Sequence, residues 1–343
     1  MIRFFDGGMG SMLNLAAGEL PEKLNISEPE RVFAVHKGYA DAGAEFITAN
    51  TFGANSLKYD NVAELVKAGV ALAKKAGKYV ALDIGPTGKL LKPMGDLEFE
   101  RAVELFAEVV RAGKDGSDVA IIETMSDMYE LKAAVIAVKE NSDLPIITSM
   151  IFDESGRLLT GGDVKSAVAM LEGLRVDAIG FNCGLGPKQM IPLVKELREC
   201  TSLPILVMPN AGLPESVDGK TVYNVSPDEF AQDMREIAKL GVSILGGCCG
   251  TTPKHIAKMI ELCKDIPDNV PEKKNDTVVC SYSSAVTIGE KPVVIGERIN
   301  PTGKKLFKEA LRNNNIDYII KEGMAQQLSL IHISEPTRQA EIS

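Results

Sequence analysis

Leu245-Gly246-Gly247-Cys248-Cys249-Gly250-Thr251-Thr252-Pro253 ends a short apolar run, sets two thiols side by side among glycines, and hands over to a helical pattern. Successive side chains on a strand point to opposite faces, so adjacent cysteines can share one pocket only where the backbone turns. Gly246, Gly247 and Gly250 permit that turn. Pro253 fits the first turn of a helix, with Thr251 or Thr252 placed to cap it. The stretch therefore predicts strand, thiol-bearing turn, helix. Thiolates held this way suit a soft or borderline cation such as zinc, whose charge relieves their repulsion, and a third ligand has to come from elsewhere.

Read outward, this is the last of eight such units. Strands are predicted at residues 3–5, 45–49, 79–83, 119–123, 145–150, 178–182, 204–208 and 243–245, with amphipathic stretches between them such as 28–43, 62–76, 98–112, 187–198 and 227–240. Alternating strands and helices make a parallel sheet with crossover helices, and eight pairs over about 250 residues fit a (β/α)8 TIM barrel. No Gly-x-Gly-x-x-Gly follows a strand in a dinucleotide-binding context, which weakens the open doubly wound alternative.

A barrel collects its chemistry at the C-terminal strand ends. Those ends read Asp6-Gly7-Gly8-Met9-Gly10-Ser11, Asn50-Thr51-Phe52-Gly53, Asp83-Ile84-Gly85-Pro86-Thr87-Gly88, Glu123-Thr124, Asn182-Cys183, Pro209-Asn210-Ala211-Gly212 and Cys248-Cys249. Cys183 thus shares a rim with Cys248 and Cys249, and three thiolates around one ion leave a fourth tetrahedral position for a thiol substrate. The competing reading is an ordinary buried Cys183 and a chance pair. Cys200, Cys263 and Cys280 lie off the rim and read as structural or exposed, without chemistry; His36 and His255 receive no role.

Glu123 ends an otherwise apolar strand, where a carboxylate needs a cationic partner: a substrate ammonium, or a rim lysine or arginine. Asp6 with the amides of Gly7, Gly8, Met9, Gly10 and Ser11 reads either as a plain turn or as a cradle for a substrate carboxylate, with Asp6 facing an ammonium. Asn210 either orients a metal ligand, fills the open metal position before substrate arrives, or serves a helix-entry turn. The loop 85–88 reads as a shaping turn.

The 343 residues, 45% hydrophobic and 25% charged, describe a soluble globular protein with ample core, and a formal charge of -9 argues against nucleic acid or an anionic membrane as partner. Six cysteines in so long a chain are no secreted disulfide framework. The N-terminus reaches Asp6 too early for a signal peptide, and no run approaches the ~18 apolar residues of a membrane span, so the expected location is cytoplasmic.

The motifs Asp-Gly-Gly-Met-Gly-Ser at 6–11, Ala-Asn-Thr-Phe-Gly-Ala-Asn at 49–55, Ile-Gly-Pro-Thr-Gly at 84–88, Glu123-Thr124, Gly-Phe-Asn-Cys at 180–183, Pro-Asn-Ala-Gly at 209–212 and Gly-Gly-Cys-Cys-Gly at 246–250 together resemble the zinc-dependent homocysteine S-methyltransferases, over residues 1–265. The resemblance implies zinc on Cys183, Cys248 and Cys249, the homocysteine amino group on Asp6 and Glu123, and methyl transfer to the thiol of L-homocysteine to give methionine. The family usually has Ala where Gly8 stands and Thr where Ser11 stands.

Beyond the barrel, residues 266–291 turn polar and proline-bearing and read as a linker. A strand is predicted at 292–297 and a basic helix from Lys304, so residues 292–327 read as the truncated start of a second α/β domain, too short to bury a core. Ile-Gly-Glu-Arg-Ile-Asn-Pro-Thr-Gly-Lys-Lys at 295–305 resembles the opening of the pterin-binding domain of cobalamin-dependent methionine synthases. That resemblance implies methylcobalamin as donor, recharged from methyltetrahydrofolate, on pterin- and cobalamin-binding domains that are missing or incomplete here. Residues 328–343 fit neither helix nor strand periodicity and resemble a translated sequencing adapter, a non-native tail. Two rival readings stand beside this one: a stand-alone enzyme using betaine or S-methylmethionine, and a zinc- or thiol-binding module without turnover.

Overall fold

The computed structural model describes residues 1–15, 18–217, 220–289, 292–293 and 299–333. The chain divides into two compact units, Met1–Val286 and Thr287–Ser343.

In the first unit, eight parallel strands run β1 Arg3–Phe4, β2 Phe46–Thr48, β3 Tyr79–Ile84, β4 Val119–Met125, β5 Ile146–Met150, β6 Ala178–Asn182, β7 Ile205–Met208 and β8 Ile244–Leu245. Their order is β1-β8-β7-β6-β5-β4-β3-β2, and a parallel bridge from Phe5 to Phe46 joins the two ends into a nearly closed barrel. Helices Pro29–Asp41, Val62–Ala76, Phe99–Gly113, Met128–Asn141, Val164–Gly173, Pro187–Cys200, Pro227–Lys239 and Pro253–Cys263 follow strands one to eight in turn. The expected TIM barrel is the observed fold.

Local signals start these helices. Proline opens four of them, at positions 29, 187, 227 and 253, where a missing N–H costs nothing. Asp127 accepts from the amides of Tyr129 and Glu130, and Asp163 forms a capping box with Ser166. Helix Phe99–Gly113 then buries Ala102, Leu105, Phe106, Val109 and Val110 along one stripe.

Strand alternation divides the core into two layers. On β3, Val80, Leu82 and Ile84 pack outward against helices, while Ala81 joins Phe5, Val119, Ile121, Ile147, Ala178, Leu206, Met208 and Ile244 inside the barrel. Each fully buried aliphatic side chain contributes about 1.5–3 kcal/mol. By the same alternation Asp83, Glu123, Ser149 and Asn182 continue the inward rows toward the C-terminal ends, setting a polar layer on an apolar plug.

Strand β4 runs past its expected end at Glu123 to Met125, with a register shift against β5 between Ile122 and Met125 and Thr124 at φ 62°. Such an irregularity re-aims side chains at a barrel rim. After β7 a small hairpin, Glu215–Val217 with Lys220–Val222, leads to Tyr223.

Within residues 266–291, Thr277–Cys280 pairs with Ala285–Ile288, and the division between the units falls in the second of these strands. The second unit contains helices Lys305–Arg312 and Ile316–Ile333, with Phe307 and Ala310 buried and the Phe307 and Tyr318 rings 6.3 Å apart. Of the strand expected at 292–297, residues 294–297 lie outside the described residues. Residues 328–333, expected to fit no regular element, continue the last helix; 334–343 lie outside the described residues.

Candidate functional site

The cysteine turn is built as its glycines require. Gly247 N–H donates to the Asp6 carbonyl at 2.9 Å and Cys248 N–H to the Pro209 carbonyl at 2.8 Å, pinning the turn to strand ends on both sides. Gly250 adopts φ 78°, and a Cβ there would stand 2.3 Å from the Tyr223 ring, so glycine is needed twice over. Thr252 caps helix Pro253–Cys263, and its N–H donates to His255 Nδ1 at 3.2 Å.

Cys183 reaches the same place from β6. Its φ of 58° lies in the left-handed region, which costs a residue with a β-carbon about 1–2 kcal/mol. Bonds from Cys183 N–H to the Met208 carbonyl at 3.1 Å and from Leu185 N–H to the Cys183 carbonyl at 2.7 Å hold it there. The Cys183 and Cys249 sulfurs are 3.9 Å apart, and all three sulfurs of Cys183, Cys248 and Cys249 lie within 4.8 Å of one another. Among the described residues this is the one grouping of three candidate metal-ligating side chains.

The donor set fits a single cation. Metal–sulfur bonds of about 2.3 Å in a tetrahedron, as zinc makes, place sulfurs ~3.8 Å apart. The Cys183–Cys249 separation of 3.9 Å matches. Their acidities show the same crowding: hydrogen bonds from Cys183 and Cys248 pull the Cys249 thiol down to about 3, so the first negative charge settles there. At Cys183 the hydrogen bond with Cys248 favours ionisation, but the bond to Cys249, burial and the Cys249 charge outweigh it and raise the thiol to about 11. Cys248 is lifted further by its bonds to Cys183 and Cys249. A second and third thiolate therefore need a cation to share.

Asn182, fully buried, ties this cluster to the neighbouring strands. Its Oδ1 accepts from Thr124 N–H and Ser149 Oγ, both at 2.8 Å, while its Nδ2 donates to Thr124 Oγ1 at 2.7 Å and faces Cys248 Sγ at 3.9 Å. The Tyr223 hydroxyl is near enough to Cys249 to favour its ionised form.

A cavity of about 370 Å³ opens beside the sulfurs. It is lined by Asp6 through Ser11, Glu123 and the three cysteines, and also by Glu22, Thr48, Asp83, Thr124 and Met208. Every expected site residue except Asn210 lines it. Asn210 is buried beside the cysteine pair, between Pro209 and Ala211, which bond Cys248 and Cys249, and its Oδ1 has no partner among the described residues.

Two details differ from expectation at the glycine loop. Met9–Leu13 is a short helix, and the Gly8 amide is already committed to Thr251 Oγ1 at 3.1 Å, so the unbonded amides come from the helix start instead. A Cβ at Gly8 would lie 2.6 Å from the Cys248 carbonyl oxygen, so the alanine common in the resembled family would push against the cysteine turn.

Four carboxyls line the cavity and, among the described residues, no lysine, arginine or histidine does. Burial lifts Asp6 to about 7 despite hydrogen bonds from the Thr48 hydroxyl and amide. Burial, then repulsion from Asp6 and Cys249, lifts Glu123 to about 8. Asp83 is raised well above the usual carboxylate range by burial and by Glu123. Such a cavity lacks a positive charge that a ligand can bring.

Asp83, Thr48, Asn182 and Tyr223 were not among the residues expected to form the site. Asp83 and Asn182 were legible from inward alternation on their strands; Thr48 and Tyr223 enter through tertiary contacts.

Residues 3–263 match the profile of the family described as homocysteine S-methyltransferase. Methionine synthases of Mycobacterium leprae and Mycobacterium tuberculosis are 32% identical over 344 residues and 31% over 339. Each alignment covers 89% of this chain but 28% of the relative, so the chain spans under a third of their length. The crystal structure of the Escherichia coli homocysteine methyltransferase MmuM in its metallated form superposes with a TM-score of 0.65 at 23% identity, covering 75% of this chain and 95% of that one. Its apo form gives 0.61 at 25% identity over 76% and 95%. No helix among the described residues is long and apolar enough to cross a membrane.

Proposed function

This chain belongs to the homocysteine S-methyltransferase family, and from that premise we propose that its barrel binds zinc and L-homocysteine and presents the substrate thiol for methylation to methionine, as the homocysteine-activating part of a cobalamin-dependent methionine synthase. The observation that carries the reading is the cation-poor, acid-lined cavity opening directly onto three clustered sulfurs. Zinc held by Cys183, Cys248 and Cys249 supplies Lewis-acid stabilisation of a thiolate, replacing a general base for a thiol whose pKa is otherwise about 8.5.

The side chains do the rest by placement. Asp6 and Glu123 receive the substrate ammonium, whose charge stabilises their ionised forms. The helix-start amides of Met9, Gly10 and Ser11 face the carboxylate, while Gly7 and Gly8 keep the loop close to the cysteine turn. Asn182 and Tyr223 hold the sulfur cluster in position, and Asn210 supports it from behind. With the metal bound, no side-chain acid or base would be required: the thiol proton would pass to solvent and the electron pair of the methyl bond would leave with the donor.

Methylcobalamin is the proposed donor, recharged from methyltetrahydrofolate on pterin- and cobalamin-binding domains, as the greater length of the methionine synthase relatives suggests. A second reading, a barrel acting with betaine or S-methylmethionine, draws on the likeness to MmuM, 95% of which this chain covers. X-ray absorption of the zinc-loaded chain tests the core claim: adding homocysteine should bring a fourth sulfur to the metal. Methionine formation with methylcobalamin, betaine or S-methylmethionine then separates the two readings. Bound zinc with no added sulfur and no methionine from any donor would leave only a metal-binding module.

A further inference from the structure

One buried carboxyl in the cavity, that of Asp83, is not needed to hold zinc, the substrate carboxylate or the thiol. Asp83 lies near the end of β3, on the inward row with Ala81, and lines the cavity at 5% exposure. Its Oδ1 is buried and has no hydrogen-bond partner among the described residues. The other acids are differently placed. Both Glu22 oxygens are taken, by Gly53 N–H at 2.5 Å and the Tyr59 hydroxyl at 2.5 Å, and both Asp6 oxygens receive Thr48. A buried acceptor left unpaired is unfavourable, and among the described residues no basic side chain lines the cavity to relieve it. A ligand in the cavity can bring the donor that the neighbouring side chains do not supply.

An alkylammonium carries three N–H donors and no acceptor. The cavity offers three carboxyls beyond the satisfied Glu22, from the ends of β1, β3 and β4. We propose that Asp83 is a third substrate-positioning carboxyl, accepting one hydrogen bond from the α-ammonium of the amino-acid thiol while Asp6 and Glu123 accept the other two. The assignment rests on the reading of this cavity as an amino-acid-thiol site. It makes the amine the most heavily read group of the substrate, so a thiol acid lacking it is rejected even though its sulfur and carboxylate are intact. Mutual repulsion among the three acids points the same way, since they can carry charge together only around a cation.

The test is calorimetric titration of the zinc-loaded full chain with L-homocysteine and with 4-mercaptobutanoate, which keeps the thiol and carboxylate but lacks the amine. The ratio of the two affinities cancels any loss of folded or metal-loaded protein. Wild type should prefer homocysteine. That preference should fall about tenfold in Asp83→Asn, which keeps an acceptor but not the charge, and up to about a hundredfold in Asp83→Ala, while 4-mercaptobutanoate binding changes by less than about twofold. Should Asp83→Ala not fold, the isosteric Asp83→Asn decides alone. An undiminished preference in the variants overturns the role of Asp83 and leaves the site reading standing. Wild-type protein with no preference for the amine overturns both.

Discussion

Glu123→Gln should make the substrate-free protein more stable in mild alkali and worse at binding homocysteine. Glu123 is held at about 8 by burial and by its neighbours Asp6 and Cys249, against an ordinary 4.5. An unfolded chain releases this proton near 4.5 and the folded one keeps it until about 8, so the folded state is penalised progressively as pH rises through that interval and uniformly above it. Across the interval the penalty is at most about 5 kcal/mol. Because Glu123 is partly open to the cavity, solvent offsets some of this and about 2–4 kcal/mol is expected. Gln keeps the shape and removes the charge. Urea unfolding of metal-free wild type and variant should therefore give stabilities within about 1 kcal/mol at pH 5, with the variant ahead by the larger amount at pH 8.5. Adding homocysteine at a hundred times its wild-type Kd to the zinc-loaded proteins should stabilise wild type by about 2.7 kcal/mol and the variant far less. Equal stabilities at both pH values would mean that Glu123 already has a partner in the free protein, and the case for an ammonium at this position would fall.

Asn182→Ala removes the clamp between Thr124, Ser149 and Cys248, and zinc affinity measured by competition with a chelating dye should weaken about ten- to hundredfold with the circular dichroism spectrum unchanged. His36 is fully buried with neither ring nitrogen partnered among the described residues, and burial lowers it to about 4. Its neutral form is favoured on folding, so stability is full above about 6.5 and is lost as pH falls through 4, by up to about 3 kcal/mol. His36→Leu should flatten that acid limb in urea midpoints taken between pH 6.5 and 4. Stripping the metal with a chelator should leave the far-ultraviolet circular dichroism intact, because the sulfurs sit on the rim above a complete apolar plug; loss of the helical signal would show that the metal organises the fold.

The barrel was legible because its two periodicities are strong. Each of the eight predicted strands overlaps its observed counterpart, and the disagreements are at ends, such as β4 running on to Met125 where a register shift interrupts the ladder. The thiol cluster was legible for a different reason: a Cys-Cys pair among glycines can only be a turn, and a barrel brings the end of β6 close to the end of β8. Position in the topology stood in for distance.

What escaped the sequence was the contribution of contacts that no periodicity records. Tyr223 reaches Cys249 from a hairpin after β7, and Gly250 is shaped to the Tyr223 ring, but neither residue announces the other across more than two dozen positions. Thr48 meets Asp6 only because β1 and β2 are neighbours where the barrel closes. Asp83 is the instructive case, since its alternation with Ala81 was available in the chain. Read alone, an acid before Gly-Pro-Thr-Gly is a turn residue. Read as the next inward step after Ala81, on a strand beside the one that carries Glu123, it becomes a second acid in a space with no basic side chain among the described residues. Two such acids cannot both ionise without a cation between them, and this incompatibility, more than any single residue, is what gives the cavity its demand for an amine.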